Sequence, residues 1–95
     1  MAAYYLNTYD VKDEAVYQMY LNKVGPLFKR YKAKVLAFDR VAMQVEGMPK
    51  DVNILIEFES VEVALSCYND PDYQAIKPLR IQATMNSRIT LVKGL

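Results

Sequence analysis

The stretch Asn53–Tyr73, NILIEFESVEVALSCYNDPDY, decides how this chain is read. Ile54-Leu55-Ile56 is a continuous apolar run that meets one carboxylate, Glu57, and closes on Phe58, the pattern of a strand buried on both faces. Ser60 follows as a helix N-cap, because its hydroxyl accepts from a backbone N–H that the first helical turn leaves unpaired. Val61, Ala64, Leu65 and Tyr68 then share one helical stripe. Asn69-Asp70-Pro71 ends that helix and opens another, with Asp70 as cap and Pro71 in the first turn, where a missing N–H costs little.

Working outward, Ala3–Tyr9 (AYYLNTY) has the aromatic, β-favouring character of a first strand. Asp13 caps a helix over Glu14–Lys32, in which Val16, Met19, Tyr20, Val24, Leu27, Phe28 and Tyr31 recur at helical spacing. Gly25-Pro26 predicts a kink or break within it. Lys34–Glu46 reads as a long second strand with a bend or bulge at Asp39-Arg40, and Gly47–Asp51 connects it to the third strand, Val52–Glu59. Pro78 is expected to split the third helical piece, because Lys77 before it is pushed away from helical dihedrals. Ser87–Lys93 is the last strand. The order is β-α-β-β-α-β: a ferredoxin-like α+β fold with a four-stranded antiparallel sheet, expected as a single domain over residues 1–95.

Two long helices cover one face of such a sheet. Yet Leu55 points opposite to Ile54 and Ile56, and Val35 and Ala37 oppose Leu36 and Phe38, so both faces carry apolar side chains. A second copy of the chain is expected to cover the other face, giving a homodimer joined through the sheet.

Composition bounds the partners. The hydrophobic fraction of 53% supports a core, and net charge +1 gives no electrostatic case for nucleic acid or an anionic membrane. No apolar run approaches the ~20 residues of a membrane helix, and Met1-Ala2-Ala3-Tyr4 does not begin a signal peptide. One cysteine, Cys67, fits a reducing cytoplasm. Histidine is absent, which removes the commonest metal ligand and general base; no metal and no cofactor is expected. The same element order occurs in RNA-recognition domains, but the third strand here carries two acids and one aromatic, so that reading fails.

Taken together, Tyr4, Asp13, Tyr17-x-x-Tyr20, Val45-Glu46-Gly47, Ile56-Glu57-Phe58-x-Ser60, Asp72-Tyr73-Gln74, Pro78, Arg80 and Ala83 resemble a bacterial family known as domain of unknown function 1330. The resemblance covers essentially the whole chain and implies a place in the dimeric α/β-barrel superfamily, whose members include cofactor-free enzymes. This chain has Lys32-Ala33 where the family usually has two glycines, and Phe38-Asp39-Arg40 where it tends to have Arg-Gly-Gly. Those glycines read as points of close backbone approach.

Glu57 is the candidate catalytic residue. Burial beside Ile56 and Phe58 would raise its pKa toward neutrality, whereas the structural reading pairs it with Arg80 or a tyrosine hydroxyl. Arg80 shares a stripe with Tyr73, Ile76 and Ala83, and its planar fork suits a ligand carboxylate or phosphate. Tyr4, Tyr5, Tyr9, Tyr68 and Tyr73, among eight tyrosines, are candidates to line an aromatic pocket, and Asp39 to face a cleft; cores, interfaces and edge strands use the same residues. Two functions are open: a cofactor-free enzyme acting on a small organic acid or aromatic, or a non-catalytic dimeric small-molecule-binding or accessory protein.

Overall fold

The computed structural model of the chain describes residues 1–95. Its elements are β1 (Ala3–Val11), α1 (Glu14–Arg30), β2 (Lys34–Asp39), β3 (Val52–Phe58), α2 (Val61–Asn69), α3 (Pro71–Ala83) and β4 (Thr84–Lys93). The strands form one antiparallel sheet in the order β2-β3-β1-β4, the ferredoxin-like arrangement, with two helices between β3 and β4. All three predicted caps are made: Asp13 accepts from the Val16 N–H at 3.0 Å, Ser60 from Val63 at 3.1 Å and Asp70 from Asp72 at 2.7 Å. Each contributes about 1 kcal/mol to its helix.

The two proline breaks do not occur. Pro26 lies inside α1 and Pro78 inside α3. A proline frees the carbonyl four residues earlier, and here those belong to Asn22 and Gln74, both exposed, so water replaces the lost donor. At the end of α1 the Ala33 N–H donates to the Phe28 carbonyl and the Lys32 N–H to that of Lys29, a Schellman turn. It holds Lys32 at φ 56, left-handed backbone that costs a side-chain-bearing residue about 1 kcal/mol. A glycine at this position serves the turn, not a close approach.

β2 ends at Asp39, well short of Glu46. It is an edge strand, and its partner β3 begins at Val52, so Arg40–Glu46 has no neighbour within the chain to pair with. At Asp39-Arg40 the chain leaves the strand in a bend, and the bulge falls earlier, between Val35 and Ala37. As a result Val35 and Phe38 both lie on the helix side, opposite Ile56 and Ile54, while Ala37 opposes Leu55. β4 starts at Thr84, not Ser87; Asn86 at φ 57 marks the irregularity that shifts its register against β1.

All three helices pack on one face. The core joins Tyr5, Tyr9, Val52, Ile56 and Phe58 of the sheet to Tyr17, Tyr20, Val24 and Leu27 of α1, with Ala64, Cys67, Tyr73 and Ala83 from α2 and α3. Two stripes are rotated from their predicted phase: Tyr17 is buried where Met19 is 48% exposed, and Cys67 where Leu65 is 46% exposed. The opposite face, carrying Tyr4, Leu6, Ala37, Leu55, Glu57, Thr90 and Val92 by register, has no helix over it. No helix is long and apolar enough to cross a membrane.

Candidate ligand-binding site

Between the helices and the sheet run two adjoining hollows, which share Asn7, Tyr20, Phe28 and Ile56 in their walls. The one toward α2 is tight, with about 20 Å³ free to a water's centre, and is closed by Tyr5, Phe58, Cys67, Tyr68 and Tyr73. The one toward β2 is roomier at about 170 Å³ and opens between α1 and the edge strand, past Leu21, Gly25, Val35 and Phe38. Its walls are apolar except for Asn7, Tyr9 and Tyr20. That balance of apolar lining and few polar groups is what a small-molecule site uses.

The phenols are paired. Tyr9 and Tyr17 share a hydrogen bond of 2.8 Å between their hydroxyls, and Tyr20 and Tyr73 one of 3.0 Å. Arg80, 5% exposed, donates from Nε to the Tyr73 hydroxyl at 3.4 Å. It is held from α3 with no carboxylate in a salt bridge to it. Tyr5 donates across the core to the Ala64 carbonyl at 3.0 Å. Burial raises the pKa of Tyr9 and Tyr20 far above the ordinary phenol value and pushes Tyr5 up to about 12, so all three are proton donors at neutral pH. Burial likewise pushes the Cys67 thiol up to about 11, which leaves it unreactive.

Asn7 is the exception to this pairing. Its Oδ1 is a fully buried acceptor with no hydrogen-bond partner, and the residue borders both hollows. An amide acceptor left dry costs about 1–3 kcal/mol, so its persistence here asks for a donor from outside the fold.

The residues predicted for a site are divided between the faces. Tyr73 and Tyr68 line the tight hollow, and Arg80 stands behind Tyr73. Tyr68 is also approached by Lys77 Nζ, 3.4 Å from its hydroxyl. Glu57 and Tyr4 are cross-strand partners on the opposite, uncovered face, where the Glu57 carboxylate raises the Tyr4 pKa. The expected pairing of Glu57 with Arg80 is therefore not formed; the sheet separates them. Lys34 is the other cross-strand neighbour of Glu57. Asp39, at the exposed end of β2, accepts from the Val41 N–H at 2.8 Å and lines neither hollow. Arg40 closes on Glu14 of α1 at 2.7 Å. No cluster of three or more metal-ligating side chains is assembled.

Asn7 and Tyr20 were not singled out from the sequence as site residues, whereas Tyr9 is among the tyrosines expected to line a pocket and does so. The signal for Asn7 was there: Ala3, Tyr5, Asn7 and Tyr9 alternate onto one face of β1, and a single amide interrupts a small and aromatic stripe.

Residues 2–95 match the family described as domain of unknown function (DUF1330). The chain belongs to that family. No functionally curated protein matches it. A DUF1330 chain of this fold is similar to a protein of unknown function from Rhodopseudomonas palustris, with TM-score 0.86 and 22% identity over 99% of this chain and 82% of that one. It is also similar to SnoaB, a cofactor-independent oxygenase from Streptomyces nogalater, with TM-score 0.70 and 9% identity over 99% and 93% of the two chains. A dimeric ferredoxin-like protein of unknown function from Thermobifida fusca gives TM-score 0.70 and 9% identity over 99% and 92%. At these identities the likeness shows a shared fold.

Proposed function

We propose that this chain is a homodimeric protein that binds a small aromatic molecule in the hollow between α1, β1 and the edge strand. The observation that carries the binding reading is the buried, partnerless Oδ1 of Asn7 in an otherwise apolar wall. Asn7→Leu tests it. Replacing a buried unsatisfied amide by an apolar side chain of the same branched shape leaves the free protein as stable or more so. A thermal-shift screen with small phenols and aromatic acids should stabilise the wild type and lose that shift in Asn7→Leu. A variant that is less stable when free yet keeps its ligand shift would make Asn7 a structural residue and overturn the assignment.

The second reading, a cofactor-free enzyme acting on the bound molecule, is supported by the fold shared with SnoaB. Glu57 is separated from the hollow by the sheet, so proton transfer there falls to the tyrosine hydroxyls. Turnover of a bound aromatic without added cofactor is the measurement that decides between binder and enzyme.

The dimer reading rests on the uncovered face. Leu6 is 43% exposed, Leu36 50% and Val92 39%, and beyond β2 the arm holds Val41, Met43, Val45 and Met48 at 79–90%. Val41, Met43 and Val45 alternate as a strand does, yet the arm has no strand partner in its own chain. A second copy supplies both a cover for the sheet and an edge for the arm. Two such faces bury on the order of 1,200–2,000 Å², enough for a stable interface. Dimeric proteins of this fold from Thermobifida fusca and Bacteroides fragilis support it. The buried Cys67 thiol fits a reducing, cytoplasmic setting for this single domain.

A further inference from the structure

We propose that the hollow selects its ligand as a monoanion, an aromatic ring with an ionised oxygen beside a hydroxyl, as in a catechol or an ortho-hydroxy ring acid. This rests on the binding reading above and specifies its ligand.

The first support is a count of protons. Arginine only donates, so the Tyr73 oxygen accepts from Arg80 Nε. Between Tyr73 and Tyr20 there is one further hydrogen bond and there are two hydroxyl protons. One proton is left over whichever way the pair is oriented. With Tyr73 donating to Tyr20, the spare proton is on the hydroxyl of Tyr20, a residue that lines the roomy hollow. A donor in series with a guanidinium is polarised toward an anionic acceptor.

The second support is charge. Arg80 is 5% exposed and outside every salt bridge of the chain. The groups bearing on it are phenols: Tyr9 from β1, Tyr20 from α1 and Tyr73 from α3. Tyr17 of α1 also feels its charge. None is an anion at neutral pH; Glu14, which also bears on Tyr17, is paired with Arg40, and Lys77 against Tyr68 is positive. A buried cation without a counter-ion is costly, and a ligand oxyanion at Tyr20 relieves that cost.

The third support is Asn7. Its Oδ1 needs a donor, which a bare oxyanion lacks, so the ligand carries a hydroxyl next to its charged oxygen. Asn7 and Tyr20 border the same hollow and set both demands on one small molecule.

The probe is 4-nitrocatechol, whose ionised form is coloured, titrated by absorbance free and in the presence of excess protein. Bound, its first ionisation should move down by at least about one pKa unit, a tenfold gain in the anion. Arg80→Gln and Tyr73→Phe should each reduce that shift; the second keeps the charge and the ring, and so stands if the first fails to fold. 4-Nitrophenol, which lacks the neighbouring hydroxyl, should bind about tenfold more weakly to the wild type and without that difference to Asn7→Leu. Binding of nitrocatechol with an unchanged or raised pKa overturns the anion preference and leaves the binding site standing. If neither probe binds at any pH at which the protein is folded, both readings fall.

Discussion

The two faces of this sheet use the same residue types to opposite ends. On the helix side, Tyr5 and Tyr9 of β1 are buried and their hydroxyls are fixed by the Ala64 carbonyl and by Tyr17. On the other side, Tyr4 lies beside a carboxylate, Glu57, among exposed Leu6 and Val92. The helix face is finished, with one acceptor left open at Asn7; the other has no cover within the chain. The polar residue that matters on each face is therefore read differently. On the proposed function, an amide among paired phenols is an acceptor for a ligand, and a carboxylate on an uncovered sheet is a surface group that meets a partner chain.

The largest effect should come from breaking the uncovered face. Leu55 stands opposite Leu6 of β1 and Ala37 of β2 on that side. Leu55→Asp places one unpaired carboxylate per chain at the centre of the proposed interface, and truncations that leave a charge uncompensated there cost about 3–5 kcal/mol. Light scattering coupled to size exclusion should show the wild type as a dimer and the variant as monomer or aggregate. A wild-type monomer mass that persists as concentration rises would end the dimer assignment and leave the helix-side hollow untouched.

The helix face should reveal itself by alkaline titration. Burial raises the pKa of Tyr5 from 10.0 to about 12, and that of Tyr9 and Tyr20 further, while Cys67 moves from 9.0 to about 11. The unfolded chain releases these protons first, so the folded state binds more of them as pH climbs. Stability present below the unfolded values is then lost as pH rises, beginning near 9.0 and continuing through about 12. Denaturant midpoints followed across that window should fall, with tyrosinate absorbance rising together with unfolding. Tyr9→Phe should flatten the decline. Phenols that all ionise near 10.0 with the fold intact would show the network to be open to water.

Much of this was legible in the chain. Asp13, Ser60 and Asp70 announced three helix starts, because a cap is a local device whose partner lies two or three residues away. The strand at Ile54–Ile56 and the fold order followed from periodicity. What failed depends on distant surroundings. Pro26 and Pro78 break a helix only if the freed carbonyl stays dry, and exposure belongs to the folded chain. The arm past Asp39 has a strand's pattern without a strand's neighbour. Glu57 and Arg80 sit on well-read elements, but which face each one points to depends on register, and the two point apart. Asn7 needed knowledge of what surrounds it: a lone amide in a strand is ordinary until its oxygen is found without a donor.

The smallest expected effect falls on the residue that the sequence makes most conspicuous. Glu57 is partly exposed, with Tyr4 and Lys34 across the strands from it, and is in no salt bridge. Glu57→Gln keeps its shape and its acceptor, so the stability of the fold should change by no more than about 0.5 kcal/mol. The Tyr4 pKa should fall back toward 10.0, because the carboxylate that raises it is gone. Ligand affinity and the ionisation of a bound nitrocatechol should be unchanged, since the sheet lies between this carboxylate and the Asn7–Tyr20 wall. Size exclusion at low concentration should find the dimer intact or tighter, because a desolvated charge has been replaced by a neutral amide. A loss of ligand affinity with the fold and dimer preserved would mean that the two faces act on one molecule, and the division between them argued from geometry would be wrong.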